Sequence, residues 1–333
     1  MKKSAAFPHP IGLMLFNRIE YARKVLESLK AQTVPVDQSK LYISIDGYVG
    51  SKPEFQGKPD NTSAIEEMAR SLFSNATIRR LQNNIGFTES KSFIEESMLT
   101  SHPDATWLGF FEEDYALGSD YLSIAEQLVS AAQPLDDVVV VAATGETLDP
   151  DHRDVEGIFP IGHLWAYFVR ASHVHERQDE IRVYRRQLSR KSYWERDKIA
   201  LARVMASRGV FPAGIGDDHM RLGLMFRFNR VGITTGLSYG EHIGIEGEHM
   251  TEKSFARFNF TRPTTVPFDI SAVDLPALVP TLRAQFHAGF AKRLAERFVI
   301  PKMQAFSAQK SFESLSRWRR AISLIRQAFR TPL

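Results

Sequence analysis

The sequence predicts an α/β fold: a mixed, mainly parallel central sheet flanked by helices. Three observations predict it. Short apolar runs of strand length recur through the first half of the chain, segments with helical apolar spacing separate them, and polar turn residues follow each run. Such alternation implies right-handed crossovers between parallel strands, and sheets of this kind bind ligands at the C-terminal ends of their strands. The residues that follow each strand are therefore the ones to read for chemistry.

Ile11–Phe16 reads as the first strand; Asn17-Arg18 follows it, then a helix with Ile19, Ala22, Val25, Leu26 and Leu29 on one face. Leu41–Asp46 is the second, closed by Asp46-Gly47 and a Pro/Gly/Lys-rich loop to about Asp60. Ala76–Leu81 reads as a third buried strand, followed by Asn83-Asn84-Ile85-Gly86 and a helix carrying Lys91 one turn in. Thr106–Phe111 is the fourth and runs into Glu112-Glu113-Asp114. A helix marked by Tyr121, Ile124, Ala125, Leu128 and Val129 leads to the fifth, Asp137–Ala143. The second half is less regular. It holds an aromatic stretch, Phe159–Phe168, a very polar segment, His173–Arg196, and a helix marked by Ile199, Ala202 and Met205. Gly216-Asp217-Asp218-His219 opens a helical run to Phe226, and a Gly-rich stretch ends at His249. Pro263, Pro267, Pro276 and Pro280 mark a linker, so residues 1–262 are expected as one domain and 263–333 as linker and tail.

The chain has 333 residues and no cysteine, which excludes disulfides, thiolate metal sites and cysteine nucleophiles and suits a reducing cytoplasm. Ile11–Phe16 is too short for a signal h-region, and no stretch approaches the ~20 apolar residues of a membrane-spanning helix. The net charge of +3 is unevenly placed: between Lys292 and Arg330 ten cations face only Glu296 and Glu313. In that tail Phe312, Leu315, Trp318, Ile322, Ile325 and Phe329 recur at helical spacing among arginines. Two readings stand: an interfacial helix on an anionic membrane through residues 305–333, or a stripe packed on the main domain or a second subunit. Nucleic acid is not expected, because no recognisable module accompanies the basic residues.

Glu112-Glu113-Asp114 is the strongest local signal. Three carboxylates at a buried strand end repel one another unless a cation sits among them, and hard oxygen donors suit Mg²⁺ or Mn²⁺. A solvated acidic loop capping the next helix is the alternative. Phe110-Phe111-Glu112-Glu113-Asp114 followed by Ser119-Asp120-Tyr121-Leu122 resembles the metal-binding acidic motif of GT-A glycosyltransferases. Leu15-Phe16-Asn17-Arg18, Leu41–Gly47, Asn84-Ile85-Gly86 and His242–His249 are similar, in order, to further segments of those enzymes. Among them are bacterial family 2-like polysaccharide transferases and N-acetylglucosaminyltransferases. The resemblance spans roughly residues 10 to 250 and implies a GT-A (Rossmann-like) fold.

It further implies an inverting transfer from a nucleotide-diphosphate sugar, a UDP-sugar first, to a glycan or lipid-linked hydroxyl. Asp114 and His249 would serve the metal; Asn17, Arg18, Asp46, Asn84, Gly86, Lys91, Glu112 and Glu113 would meet the donor. Asp218 would be the base, with Asp217 as the alternative or as a helix N-cap. Trp165, His242 and Glu246 would line the acceptor pocket, although a core role suits Trp165 equally. The pattern departs from the family at Glu113, His242 and Glu246, which keeps a catalytically silent binding protein in view. A sugar-nucleotide nucleotidyltransferase would need a Gly-rich loop after the first strand, and Asn17-Arg18-Ile19-Glu20 has no glycine. His163, His173 and His175 read as surface histidines or as a metal cluster, and Arg182–Arg196 as a solvated face or an anion clasp. The expected setting is the cytoplasm, at the inner membrane face if the tail is an interfacial helix.

Overall fold

Short apolar runs buried on both faces and separated by amphipathic helices suit a sheet covered by helices, and the chain adopts that arrangement. The computed structural model describes residues 6–51, 55, 57–188, 198–211, 214, 216–245, 252–258, 260 and 263–295. The first half runs β1 (Ile11–Leu15), α1 (Ile19–Lys30), β2 (Leu41–Ile45), α2 (Thr62–Leu72), β3 (Thr77–Arg80), α3 (Phe87–Ser101), β4 (Trp107–Glu112), β5 (Tyr115–Leu117), α4 (Tyr121–Ala132) and β6 (Val138–Ala142). The second runs β7 (Ile158–Pro160), β8 (Ala166–Arg170), α5 (Ala171–Leu188), α6 (Lys198–Ser207), α7 (Asp217–Arg227), β9 (Val231–Thr235), β10 (Gly240–His242), α8 (Glu252–Phe258) and α9 (Leu275–Leu294).

Eight strands form one sheet in the order β3-β2-β1-β4-β8-β6-β9-β7, and β10 and β5 form a separate ribbon. β3, β2, β1 and β4 are parallel, as are β6 and β9, whereas β8 and β7 run antiparallel to their neighbours. The sheet is thus mixed and mainly parallel, as expected. From β1 the chain builds outward to β2 and β3, then returns to place β4 on the other side of β1. That reversal makes a crevice between the ends of β1 and β4, the place where open α/β sheets bind ligands.

Several expectations are corrected. Ala76–Leu81 does not make a buried strand: β3 is the sheet edge, and Thr77, Arg79 and Arg80 are exposed there. Charged side chains on an edge strand discourage pairing with a second molecule. The polar segment after His173 is not simply a solvated face: its described part is helix, and Val174, Arg177, Ile181, Tyr184 and Leu188 give α5 a buried side. His173 is not a surface histidine; it is 2% exposed, with Nδ1 2.8 Å from Glu176. Arg182 and Arg185 are held by carboxylates, Arg182 by Asp179 at 2.8 Å and Arg185 by Glu89 and Glu96 at 2.9 Å each. Arg190, Lys191 and Arg196 lie outside the described residues.

Pro276 and Pro280 do not mark a linker but stand within α9, whose buried face is Leu275, Val279, Leu282, Phe286 and Phe290. Phe226 stacks obliquely on Phe290 at 5.1 Å, and Arg283 pairs with Asp137. One compact unit therefore spans Met1–Phe290, and Ala291–Leu333 forms a second. The apolar tail stripe, Phe312 to Phe329, lies outside the described residues. Among the described residues no helix is long and apolar enough to cross a membrane.

Candidate active site at the ends of β1 and β4

β4 delivers Glu112, Glu113 and Asp114 to the crevice, directly opposite the Asn17-Arg18 turn that follows β1. Glu113 braces that turn. Its carboxylate accepts the Phe16 N–H at 2.8 Å and Arg18 Nε at 2.6 Å. Arg18 also reaches Asp114 Oδ2 at 3.3 Å. Burial works against the Arg18 charge, but Glu113 and Asp114 outweigh it and raise its pKa. Asn17 faces the loop after β2: its amide donates to the Pro59 carbonyl at 2.8 Å and its carbonyl accepts the Asn61 N–H at 2.7 Å.

Asp46, at the end of β2, accepts the backbone N–H groups of Gly47, Ile85 and Gly86, each at 2.9 Å. It thereby ties β2 to the turn before α3. Gly86 sits in that turn at φ +82°, a conformation few other residues adopt. Asn84 donates its N–H to the Val49 carbonyl at 2.8 Å. Asn17, Asp46 and Glu113, expected as donor contacts, are thus engaged by the protein's own loops and order the rim of the crevice.

Asp114 is approached from the far side by the ribbon. β5 starts at Tyr115 and pairs with β10, which ends at His242. The Ile243 N–H donates to the Asp114 carbonyl at 2.7 Å. A Cβ at Gly244 would lie 2.8 Å from Asp114 Cβ and 2.9 Å from Asp114 Oδ2, so only glycine admits the carboxylate here. Asp114 Oδ1 is buried without a hydrogen-bond partner among the described residues. His242 is buried, and burial lowers its pKa against the pull of Asp114, leaving the ring neutral.

Trp165 joins an aromatic wall beside these groups. Its ring lies 4.8 Å from His163, 4.4 Å from His242 and 5.2 Å from Phe260, and His242 stacks on Phe260 at 4.4 Å. Trp165 itself is only partly buried. Its carbonyl accepts the Glu112 N–H at 3.1 Å, which places the wall next to the acidic triplet.

Asp217 and Asp218 open α7 with opposite surroundings. Asp217 is buried between Lys91, 3.0 Å from Nζ, and Arg221, 2.6 Å from Nε. Burial alone would raise its pKa; Arg221 and Lys91 outweigh that and hold it far below the usual carboxylate range. Asp218 is partly buried and accepts the Leu164 N–H at 3.2 Å. Burial, with Asp217 adding to it, pushes its pKa up to about 6 despite Lys91. Glu112 is raised well above its usual value by burial first and Asp218 next. Asp218, Glu112 and Asp114 therefore form one electrostatic group at the crevice.

Lys91 is fully buried beneath this group rather than presented to a ligand, between the rings of Phe87 and Tyr167 at 5.0 Å each. Behind it lie residues that sequence reading missed. Arg221 Nη1 is 2.9 Å from Glu95 Oε2, which Arg177 meets at 2.7 Å. The i, i+4 spacing of Asp217 and Arg221 was a readable signal, but nothing local connects Glu95 to Arg177. Glu246 and His249 lie outside the described residues.

Among the described residues no three His, Asp or Glu side chains form a complete metal cage. The donor set suits instead a hard cation held by one or two carboxylates and completed by water and phosphate oxygens. Asp114, with a buried free oxygen, fits that role.

No family model matches the chain, and no curated protein does. Among solved structures it is similar to residues 1–349 of S. aureus TarS, at 12% identity and a TM-score of 0.47 over 96% of this chain and 80% of that one. A longer S. aureus TarS structure gives 12% and 0.48 over 97% and 49% of the two chains. Mannosyltransferase PcManGT from Pyrobaculum calidifontis, in complex with GDP-Man and Mn²⁺, gives 12% and 0.42 over 96% and 82%. The functional reading rests on the geometry of the crevice and not on these likenesses.

Proposed function

We propose that the chain is a metal-dependent, inverting glycosyltransferase with a nucleotide-diphosphate sugar, a UDP-sugar first, as donor. One observation carries this reading: a carboxyl with raised proton affinity, Asp218, shares a crevice with Asp114, whose buried Oδ1 has no partner among the described residues. The first is what a general base near neutral pH requires. The second is what a cation bridging to a diphosphate requires.

In the proposed reaction an acceptor hydroxyl attacks the anomeric carbon while Asp218 takes its proton. The new C–O bond forms as the bond to the diphosphate breaks, and the nucleoside diphosphate leaves with the electron pair. No glycosyl–enzyme nucleophile is needed. Asp114 would hold Mn²⁺ or Mg²⁺, which when bound supplies charge neutralisation for the departing diphosphate. Arg18 and Glu113 keep Asp114 and the β1 turn in register, and neutral His242 with Trp165 offers apolar ring faces for a glycan acceptor.

The test is nucleoside diphosphate release from a panel of nucleotide sugars, with and without Mn²⁺, followed by the anomeric configuration of any product. Inversion and metal dependence are expected; a retained configuration overturns the mechanism. Gly244→Ala should weaken metal-dependent nucleotide binding by about 10- to 100-fold, because its Cβ displaces Asp114. Titration of Mn²⁺ at fixed nucleotide measures this.

The tail belongs to the same reading. With eight net positive charges between Lys292 and Arg330, residues 305–333 would hold the enzyme on an anionic membrane and bring it to lipid-linked acceptors. Flotation with anionic liposomes, lost on deleting residues 305–333, is the expected result; flotation unchanged by the deletion contradicts it.

A further inference from the structure

We propose that Lys91 is a positioning residue that keeps Asp218 ionised, and that the buried chain of charges behind Lys91 sets how strongly it does so. This rests on the reading of Asp218 as the base.

Lys91 is 0% exposed, one turn into α3, and its ammonium is closed off by the Phe87 and Tyr167 rings. A lysine in such a place has no role as a ligand contact. Its charge is nevertheless retained: burial is the largest influence and opposes it, but Asp217, Tyr167 and Glu112 together outweigh burial, and its pKa is raised. The chain continues from Asp217 to Arg221, then Glu95, then Arg177, and so links α7, α3 and α5. Three cations and two carboxylates leave one positive charge in excess. Two carboxyls outside the chain, Asp218 and Glu112, feel that charge: Lys91 favours both as anions.

The groups facing Asp218 come from every element around it. Lys91 on α3, Arg221 on α7 and the Leu164 N–H before β8 favour its ionised form; Asp217 on α7 and Glu112 at the end of β4 oppose it. Lys91 is the largest favourable influence on Asp218. Without it, two flanking carboxylates and burial would keep the proton on Asp218 at neutral pH, and the base would be lost. Asp217 holds the lysine and leaves its neighbour to do the chemistry, which explains why adjacent aspartates of one helix differ so widely in proton affinity.

The experiment compares the pH dependence of the melting temperature in pairs of full-length proteins with and without Asp218→Asn. The difference within each pair reports the titration midpoint of Asp218 without any substrate. Lys91→Met should move the midpoint up by at least about one pH unit. Glu95→Gln, which enlarges the positive excess, should move it down, and Lys91→Arg should leave it near the wild-type value. Opposite shifts are an outcome that a merely structural role cannot give. An unchanged midpoint in folded Lys91→Met, or shifts of one sign in both variants, overturns the proposal. If Lys91→Met does not accumulate as folded protein, Glu95→Gln decides: a lowered midpoint supports it and an unchanged one overturns it. The expected shifts with Asp218→Asn still active in nucleoside diphosphate release would overturn the base assignment alone.

Discussion

Asp218→Asn should abolish sugar transfer and, above pH 6, make the protein more stable. The loss of a positioned general base costs about 10²- to 10⁴-fold in rate. The gain in stability follows from the raised proton affinity of the carboxyl, about 6 against an ordinary 3.8. Below pH 3.8 both folded and unfolded chains hold the proton, and the residue contributes no difference. Between the two values the unfolded chain releases the proton while the folded chain keeps it, so stability falls as pH rises. Above 6 the whole cost is in place, up to about 3 kcal/mol before solvent screening of this partly exposed group reduces it. Asparagine never ionises and escapes the cost. Urea melts of both proteins at pH 4 and pH 8 measure it: the curves should lie close together at pH 4 and separate at pH 8 in favour of the variant. Parallel behaviour at the two pH values contradicts the picture of a base held under electrostatic stress.

One residue earlier the sign reverses. Asp217→Ala removes the carboxylate between Lys91 and Arg221, which are 0% and 1% exposed, and leaves two buried cations facing each other. Breaking a buried ion pair on one side typically costs about 3–5 kcal/mol, because the remaining charge stays desolvated. Arg221 retains Glu95, but Lys91 has no second carboxylate at ion-pair distance among the described residues. A urea melt at pH 7 should show the loss, and a change under about 1 kcal/mol contradicts the arrangement. Two adjacent aspartates on one helix turn, one destabilising when removed and the other stabilising, form a pair of results that helix capping does not produce.

Much of the parallel half of the sheet was legible because its strands are short unbroken apolar runs bounded by turn residues. β1, β2 and β6 fall within the segments expected, and β4 runs one residue past its own, to Glu112. β3 was legible as a strand but not as an edge, since an edge is a property of neighbours and not of residues. The antiparallel strand β8 was obscured because it begins inside the aromatic stretch Phe159–Phe168 and runs past it to Arg170, and α5 because its run is so polar that the buried face did not show. In the site, the acidic triplet and the Asp217-Asp218 pair stood out, because carboxylates following apolar runs are visible locally. What they do with one another was not. Asp46 capping the Ile85–Gly86 turn, Glu113 bracing Arg18, and Glu95 joining Arg177 to Arg221 all depend on contacts between distant segments. Lys91 was expected to meet the donor from its place one turn into α3; only tertiary packing puts Phe87 and Tyr167 around it.

The central claim is that Asp114 holds a divalent cation through which a nucleotide diphosphate binds. It is tested most directly by thermal shift of the wild type and Asp114→Ala with a panel of nucleoside diphosphates and nucleotide sugars, each with and without Mn²⁺. The expected result is stabilisation of the wild type by a uridine nucleotide only when Mn²⁺ is present, with no such stabilisation of the variant. Metal-independent stabilisation, or equal stabilisation of both proteins, contradicts the claim.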